Sequence, residues 1–239
     1  MTKFVKYIVL IAILLTTYAA VAQESTPKPR LMINIVVSSM HADDLNRYAG
    51  NFTSGGFAKL KGEGVWFSNA SYDYMQTTTP VSLATISTGA MPSVHGVVAE
   101  TWFDYVKNNR IPLIEDSKEQ SVNYSAGTGN YSPRQLFAET ISDAVAEHNE
   151  QSIVRTIAVD PLSAIVMAGH AGEVYWMENL QTDWTTSSYY TKELPRWISE
   201  YNRNDTNEAF MLKSWTPLLK LDDYLNSQVI SINVDNGGE

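Results

Sequence analysis

Short, continuous apolar runs rich in β-branched residues alternate with helical patterns along this chain. The clearest runs are Leu31–Val37, Val65–Asn69, Ser152–Val159 and Glu173–Met177. An apolar run without polar alternation is typical of a strand that is buried on both faces. We therefore predict an α/β layered fold in which helices flank a mainly parallel central sheet.

Helix signals fall between and after these runs. Pro80 in the first turn and Gly89 beyond the last predict a helix from Thr79 to about Thr88. The spacing of Ser132 and Gln135 predicts a capping box, with a helix behind it. Further helical segments are predicted at 43–48, 57–60, 189–201 and 208–221.

Composition excludes several classes of protein and of site. The 239 residues include 26 acidic and 17 basic side chains, a net charge of −9, and no cysteine. An acidic surface repels phosphate backbones, so we expect no nucleic-acid partner. The lack of cysteine excludes a disulfide scaffold, thiolate zinc sites and a cysteine nucleophile.

The N-terminal segment has the pattern of an export signal. Lys3 and Lys6 precede an apolar run, and the small residues Ala20 and Ala22 follow it. Residues 1–22 are therefore predicted to be a signal peptide, followed by a polar linker at 23–30 and a domain at 31–239. We expect an exported protein of a Gram-negative periplasm or exterior with no stable membrane anchor. The alternative is an uncleaved anchor helix.

Two segments predict where chemistry could occur. The first apolar run ends at Ser38, and the threonines of Thr77–Thr79 open the helix that follows the second run. Ligands collect where parallel strands end and helix N-termini offer free N–H groups. Thr79, activated beside metal ions, is a candidate nucleophile for phosphoryl transfer. The alternative is that the threonines only cap the helix.

A series of ordered landmarks runs from about Pro29 to Leu221. It comprises Gly55-Gly56-Phe57, Thr88-Gly89, Pro92–Gly96, Ser132–Leu136, Ala168-Gly169-His170 and Tyr175-Trp176. With these motifs the chain resembles the N-terminal part of bacterial zinc-dependent alkaline phosphatases, in the type I phosphodiesterase/nucleotide pyrophosphatase branch of the alkaline phosphatase superfamily. The resemblance implies an alkaline phosphatase-like fold that is incomplete on its C-terminal side, where the family's remaining Asp and His ligands lie.

The catalytic positions that the resemblance implies are mostly substituted. The family's zinc-ligating Asp falls on Ser38, and its nucleophilic Thr falls on Thr79. Its phosphoryl-binding Asn falls on Glu100, and its Lys and Arg clamp falls on Asp160 and Leu162. A hydroxyl does not replace a carboxylate ligand of zinc. Losing both cations removes stabilisation of the charge that develops in the transition state.

Two functional hypotheses follow. The first is an exported, catalytically inactive alkaline phosphatase-like protein with a binding or scaffolding role, no metal and no other cofactor. An unknown protein partner, or the missing C-terminal half of the domain, would cover its open face. The second is a zinc-dependent phosphomonoesterase or phosphodiesterase that uses Thr79. Only His41 with Asp43 and Asp44 forms a local cluster that could recruit a cation.

Overall fold

The computed structural model of the chain describes residues 29–123, 129–177 and 183–204, with the short stretches 213–214, 216–217 and 220. The chain divides into two compact units, Met1–Ser68 and Asn69–Glu239. The predicted signal peptide at 1–22, most of the linker at 23–30 and most of the helix at 208–221 lie outside the described residues. Within those residues, no helix is long and apolar enough to cross a membrane.

The described part of the first unit contains two short helices. These are α1 (Asp44–Arg47) and α2 (Gly56–Glu63), with a turn of 3-10 helix at Ala49–Asn51 between them. Both helices confirm the predictions for 43–48 and 57–60, although α2 is longer than expected. Lys59 and Glu63 form an exposed i,i+4 ion pair on α2 at 3.9 Å.

The two strands predicted in the first half of the chain are wrong. Leu31–Val37 forms no regular secondary structure, and Leu31 is 75% and Ile35 79% exposed. Val65–Asn69 is likewise irregular, and Val65 is 82% exposed. A strand that is apolar on both faces becomes buried only when neighbouring strands and layers cover it. None of the strand pairs within the described residues includes either segment.

Within the described residues, the second unit contains two small sheets. Their strands are β1 (Thr101–Asp104), β2 (Asn109–Pro112), β3 (Arg155–Ile157), β4 (Glu173–Met177) and β5 (Trp184–Thr185). Strands β1 and β2 form an antiparallel hairpin, while the other sheet has the order β3-β4-β5. In that sheet β3 runs parallel to β4, and β5 runs antiparallel to it. The strands predicted at 152–159 and 173–177 are thus present, the former shortened to three residues.

The described part of the second unit also contains five helices. They are α3 (Thr79–Thr88), α4 (Pro92–His95), α5 (Ile141–His148), α6 (Pro161–Ala168) and α7 (Arg196–Arg203). Helix α3 has the predicted bounds, and Gly89 ends it in the left-handed region at φ 68°. The helix predicted at 189–201 begins only at Arg196. Pro195 is its N-cap, and a residue that precedes a proline is disfavoured in helical conformation.

The capping box predicted at Ser132 is also wrong. The Ser132 hydroxyl donates to Asp116 Oδ2 at 2.7 Å, and no helix begins there. Thr140 and Asp143 form the box instead. Thr140 Oγ1 accepts from the Asp143 N–H at 3.1 Å, and Asp143 Oδ2 accepts from the Thr140 N–H at 2.9 Å. A hydroxyl followed three residues later by an amide or acid side chain therefore occurs twice, at Ser132 and at Thr140, and the contact with Asp116 engages the Ser132 hydroxyl.

The core of the second unit lies where α3 packs against α6. Ser87 of α3 donates its hydroxyl to the Val166 carbonyl of α6 at 2.9 Å, so a polar contact closes the apolar interface. Other buried residues come from both helices, from β4 and from the loops, namely Val81, Leu83, Ala84, Val97, Leu113, Ile114, Leu136, Ala164, Ile165, Ala168, Val174 and Trp176. Thr79 and Asp160 therefore lie at the N-terminal ends of two helices that the core holds in place.

Candidate functional site

Thr79 is the first residue of α3. Thr78 precedes the helix in extended conformation, with φ −67° and ψ 160°, and Pro80 follows as a buried residue of the first turn. The fixed φ of proline suits this position and leaves no N–H to satisfy. The Thr79 side chain is exposed and makes no hydrogen bond to any described residue. Its hydroxyl is therefore accessible and held on a regular element.

The threonines before α3 do not cap it through their side chains. Thr78 makes no side-chain capping hydrogen bond, and its carbonyl accepts from the Ser82 N–H at 2.9 Å. The alternative interpretation of the threonine run as a hydroxyl cap is therefore wrong. The first N–H groups of a helix need partners from outside the helix, and these threonine hydroxyls do not supply them.

Ser38 belongs to the first unit, where it ends the apolar run that begins at Leu31. It is exposed and lies in a turn in which Ser39 adopts a φ of 61°. The side chain offers one neutral hydroxyl, without the negative charge of a carboxylate.

Glu100 precedes β1 and takes part in the fold through its backbone. Its carbonyl accepts from the Leu113 N–H at 2.8 Å, which extends the pairing of the β1–β2 hairpin. The side chain is exposed. A carboxylate accepts hydrogen bonds and donates none when it is ionised, so it does not replace an amide donor.

Asp160 is the N-cap of α6. Its backbone is extended, with φ −99° and ψ 148°, and its Oδ1 accepts from the Ser163 N–H at 2.8 Å. Pro161 follows at the first helical position. A carboxylate at this position satisfies a free N–H and interacts favourably with the helix dipole. The side chain at this position therefore stabilises the helix.

Leu162 also serves the fold. It lies in the first turn of α6 and packs, half-buried, against the hydrophobic core. An apolar side chain is expected at a position that covers a core, and it cannot bind an anion.

His95 is fully buried at the end of α4 and has partners on both ring nitrogens. Nδ1 accepts from the Val97 N–H at 3.1 Å, and Nε2 lies 3.1 Å from Thr85 Oγ1. Tyr74 donates its hydroxyl to the same oxygen at 2.7 Å. Burial lowers the pKa of His95. A neutral ring with its proton on Nε2 satisfies this network, so His95 is structural.

His170 follows α6 and pairs with Asp143 of α5. Its Nδ1 lies 3.0 Å from Asp143 Oδ2, and its Nε2 lies 2.9 Å from the Leu136 carbonyl oxygen. The hydrogen bond with Asp143 raises the pKa of His170, against an opposing effect of burial. Burial opposes ionisation of Asp143, but the hydrogen bonds from His170 and Thr140 leave the pKa of its carboxyl lowered.

The acidic cluster beside His41 shows only local hydrogen bonding. The His41 N–H donates to Asp44 Oδ2 at 3.2 Å, as in a turn that leads into a short helix. Over the described ranges, no group of three or more His, Asp or Glu side chains is placed to hold a metal ion.

Sequence reasoning missed the structural roles of three acidic or hydroxyl residues. Asp160 precedes a proline and an apolar segment, and Thr140 and Asp143 have capping-box spacing before another. Both patterns are recognised signals for a helix start. Each serine, threonine or aspartate that precedes an apolar segment is a candidate N-cap. This rule identifies Asp160 and Thr140 from the sequence, and the capping-box spacing adds Asp143.

The sequence and the fold of the chain both have relatives among known proteins. A sequence profile of the family described as type I phosphodiesterase / nucleotide pyrophosphatase matches residues 32–235. The chain belongs to this family. The chain is 32% identical to a calcium-transporting ATPase of Myroides odoratus over 213 residues, covering 88% of this chain and 39% of that protein. It is 30% identical to alkaline phosphatase PafA of Elizabethkingia meningoseptica over 206 residues, covering 85% and 38%.

A solved structure of one of these relatives has a similar fold. The crystal structure of wild-type alkaline phosphatase PafA superposes with a TM-score of 0.78 at 29% identity, covering 84% of this chain and 39% of that chain. The predicted α/β, alkaline phosphatase-like fold is thereby confirmed, as is the predicted family. This family member spans about two fifths of the length of the relatives it matches.

The family resemblance implies zinc, and the described residues do not fit it. Ser38 presents a neutral hydroxyl where a carboxylate ligand is expected. Over residues 29–123, 129–177 and 183–204, no three His, Asp or Glu side chains come together where they could hold a zinc ion.

Proposed function

We propose that this family member is an exported alkaline phosphatase-like protein that does not transfer phosphoryl groups and acts by binding or scaffolding. The observation that carries the proposal is Asp160. At the position that corresponds to the family's clamping lysine, its carboxylate accepts from the Ser163 N–H and caps α6. A helix N-terminus attracts anions, and here the chain supplies its own anion.

The neighbouring positions support the same proposal. Leu162 contributes packing instead of charge, and Glu100 adds a carboxylate. Each of these exchanges makes the local charge more negative, and negative charge repels a phosphoryl group. Phosphoryl transfer depends almost entirely on positioning and on electrostatic stabilisation, so these exchanges act on the main source of catalysis.

The binding role rests on apolar surface in the first unit. Residues 31–37 expose six apolar side chains, Leu31, Met32, Ile33, Ile35, Val36 and Val37. A contiguous exposed apolar segment is a common mark of an interaction site. A protein partner, or the C-terminal half of an alkaline phosphatase domain, would cover it. Export rests on the signal pattern at 1–22, and the net charge of −9 disfavours a nucleic-acid partner.

Hydrolysis of an aryl phosphate monoester and of the corresponding diester tests the proposal. The full chain and its Thr79→Ala variant are assayed side by side with added zinc. We expect both to show the same background rate. Zinc-dependent turnover by the wild-type chain that disappears in Thr79→Ala would overturn the proposal.

One observation favours a second function. Thr79 has an accessible hydroxyl without a hydrogen-bond partner among the described residues, at the first position of a well-anchored helix. A nucleophile of a phosphomonoesterase or phosphodiesterase needs this accessibility. The same assay decides between the two functions.

A further inference from the structure

The ring of His170 bridges two groups that only accept hydrogen bonds. Nδ1 lies 3.0 Å from the carboxylate oxygen Oδ2 of Asp143, and Nε2 lies 2.9 Å from the carbonyl oxygen of Leu136. A neutral imidazole carries one N–H and an imidazolium carries two. Only the protonated ring satisfies both partners.

The surroundings of Asp143 keep it ionised. Its Oδ1 accepts from the N–H groups of His170 at 2.7 Å and Ala171 at 2.8 Å, and Oδ2 accepts from the Thr140 N–H at 2.9 Å. A carboxylate that accepts several backbone hydrogen bonds is stabilised in its charged form. A buried anion therefore faces Nδ1, and that nitrogen keeps its proton when the ring becomes neutral. The proton that is lost is the one on Nε2.

The other groups around the ring also favour a cation. Exposed Glu139, on the segment that carries Leu136, adds negative potential. His170 follows the C-terminal end of α6, where the Ala168 carbonyl accepts from the Thr140 hydroxyl at 2.8 Å, and helix C-termini favour positive charge.

From the 189–190 segment, Tyr190 donates its hydroxyl to the Gly169 carbonyl at 2.8 Å. Burial raises the pKa of Tyr189 and of Tyr190, so both phenols are neutral near pH 7. Arg134 stacks on the Tyr189 ring at 5.3 Å and is paired with Asp116 and Glu119. Its positive charge is therefore balanced by its own acidic partners.

The bond from Nε2 restrains the backbone carbonyl of a residue whose side chain is already fixed, because the Leu136 side chain is buried in the core and its N–H donates to the Pro133 carbonyl at 2.8 Å. The Leu136 carbonyl accepts from His170, and the next residue, Phe137, donates its N–H to the His95 carbonyl at 3.0 Å. The Phe137 side chain is exposed and lies over Gly96, where a Cβ would collide with the ring. The two residues are thus held between the rigid α4 and the turn after α6.

We propose that His170 is a proton-operated latch, which ties the Leu136–Phe137 segment to the turn after α6 when its ring is protonated and releases the Leu136 carbonyl when its ring is neutral. The sign of the effect follows from the raised pKa of His170. The latch is fully closed below the pKa of an unfolded-chain histidine, about 6.5. It opens as the pH rises through the higher pKa of the folded chain.

Nuclear magnetic resonance on the full chain tests the latch. The four histidine rings are titrated, and the exchange protection of the Phe137 amide is measured over the same pH range after correction for intrinsic exchange. We expect the pKa of His170 to lie above that of an ordinary histidine, about 6.5, and Phe137 protection to fall as the His170 ring loses its proton. The fall is about tenfold for each unit by which the contact with the Leu136 carbonyl raises the pKa of His170.

Two variants complete the test. In His170→Gln, Phe137 protection is expected to be low and independent of pH, whereas the matched His41→Gln variant keeps the wild-type profile. A His170 pKa at or below that of an ordinary histidine, about 6.5, or Phe137 protection that stays constant through the His170 titration, would overturn the proposal. If His170→Gln does not fold, the wild-type titration decides alone.

Discussion

At the scale of single residues, two of the positions that the family resemblance assigns to catalysis have visible roles in the fold. Asp160 caps a helix, and Leu162 covers the core. The cap role of Asp160 was predictable, because Pro161 and an apolar segment follow it in the sequence. The packing of Leu162 was not, because an apolar residue in the first turn of a helix does not by itself show what it contacts.

Replacing Asp160 separates the helix cap from the negative charge. Asp160→Ala is expected to lower the free energy of unfolding by about 1 kcal/mol, because the Ser163 N–H loses its partner. Asp160→Asn keeps the accepting oxygen and should retain most of the stability. Urea denaturation of the three proteins measures this. Equal stability of Asp160→Ala and the wild type would show that the cap is unimportant.

Among the residues that lie beside His170, Asp143 and Thr140, Gly169 should be the one whose replacement lowers the stability of the fold most. It has a φ of 76°, and a Cβ there would collide with Asp143 Oδ2 and Thr140 Oγ1. Gly169→Ala is expected to cost about 2–4 kcal/mol, from backbone strain together with displacement of the capping box.

Gly89 offers a comparison for that substitution. It lies in the left-handed region at φ 68° and ψ 10°, whereas Gly169 has φ 76° and ψ −138°, and a Cβ at Gly89 would meet nothing within 4 Å. Gly89→Ala should therefore cost only the backbone strain, about 1–2 kcal/mol. Thermal unfolding measures the loss of stability in both variants. Equal losses would contradict a collision of the added Cβ at Gly169.

At the scale of elements, local signals predicted helices better than strands. Helix α3 was predicted to the residue because Pro80 and Gly89 mark its two ends within the sequence itself. The strand predicted at Leu31–Val37 depends on neighbours that the local pattern does not contain. The choice between Ser132 and Thr140 as a cap depended on the contact between Ser132 and Asp116, which is distant in sequence.

The packing of α3 against α6 should dominate the stability of the second unit. Ile165 is fully buried in this interface, so Ile165→Ala is expected to cost about 2–5 kcal/mol. Ile153 is exposed, and Ile153→Ala should cost less than about 0.5 kcal/mol. The midpoint of urea denaturation measures both changes. A small loss in Ile165→Ala would mean that the core lies elsewhere.

At the scale of the whole molecule, family membership and fold were predictable because they rest on many ordered landmarks. The profile match over residues 32–235 and the superposition on PafA confirm them. Activity was less predictable, because it depends on a few side chains and their charges. A chain can keep the α3–α6 core of a phosphatase while Asp160 and Leu162 take structural roles, since packing and phosphoryl transfer place separate demands on the sequence.

The most direct measurement of the central claim is the intact mass of the full chain, quenched shortly after mixing with an aryl phosphate in the presence of zinc. A threonine nucleophile forms a covalent phosphoryl intermediate during hydrolysis, so a working site would label Thr79. The proposed function predicts an unmodified mass at all quench times. A phosphoryl adduct that maps to Thr79 and is absent from Thr79→Ala would contradict it.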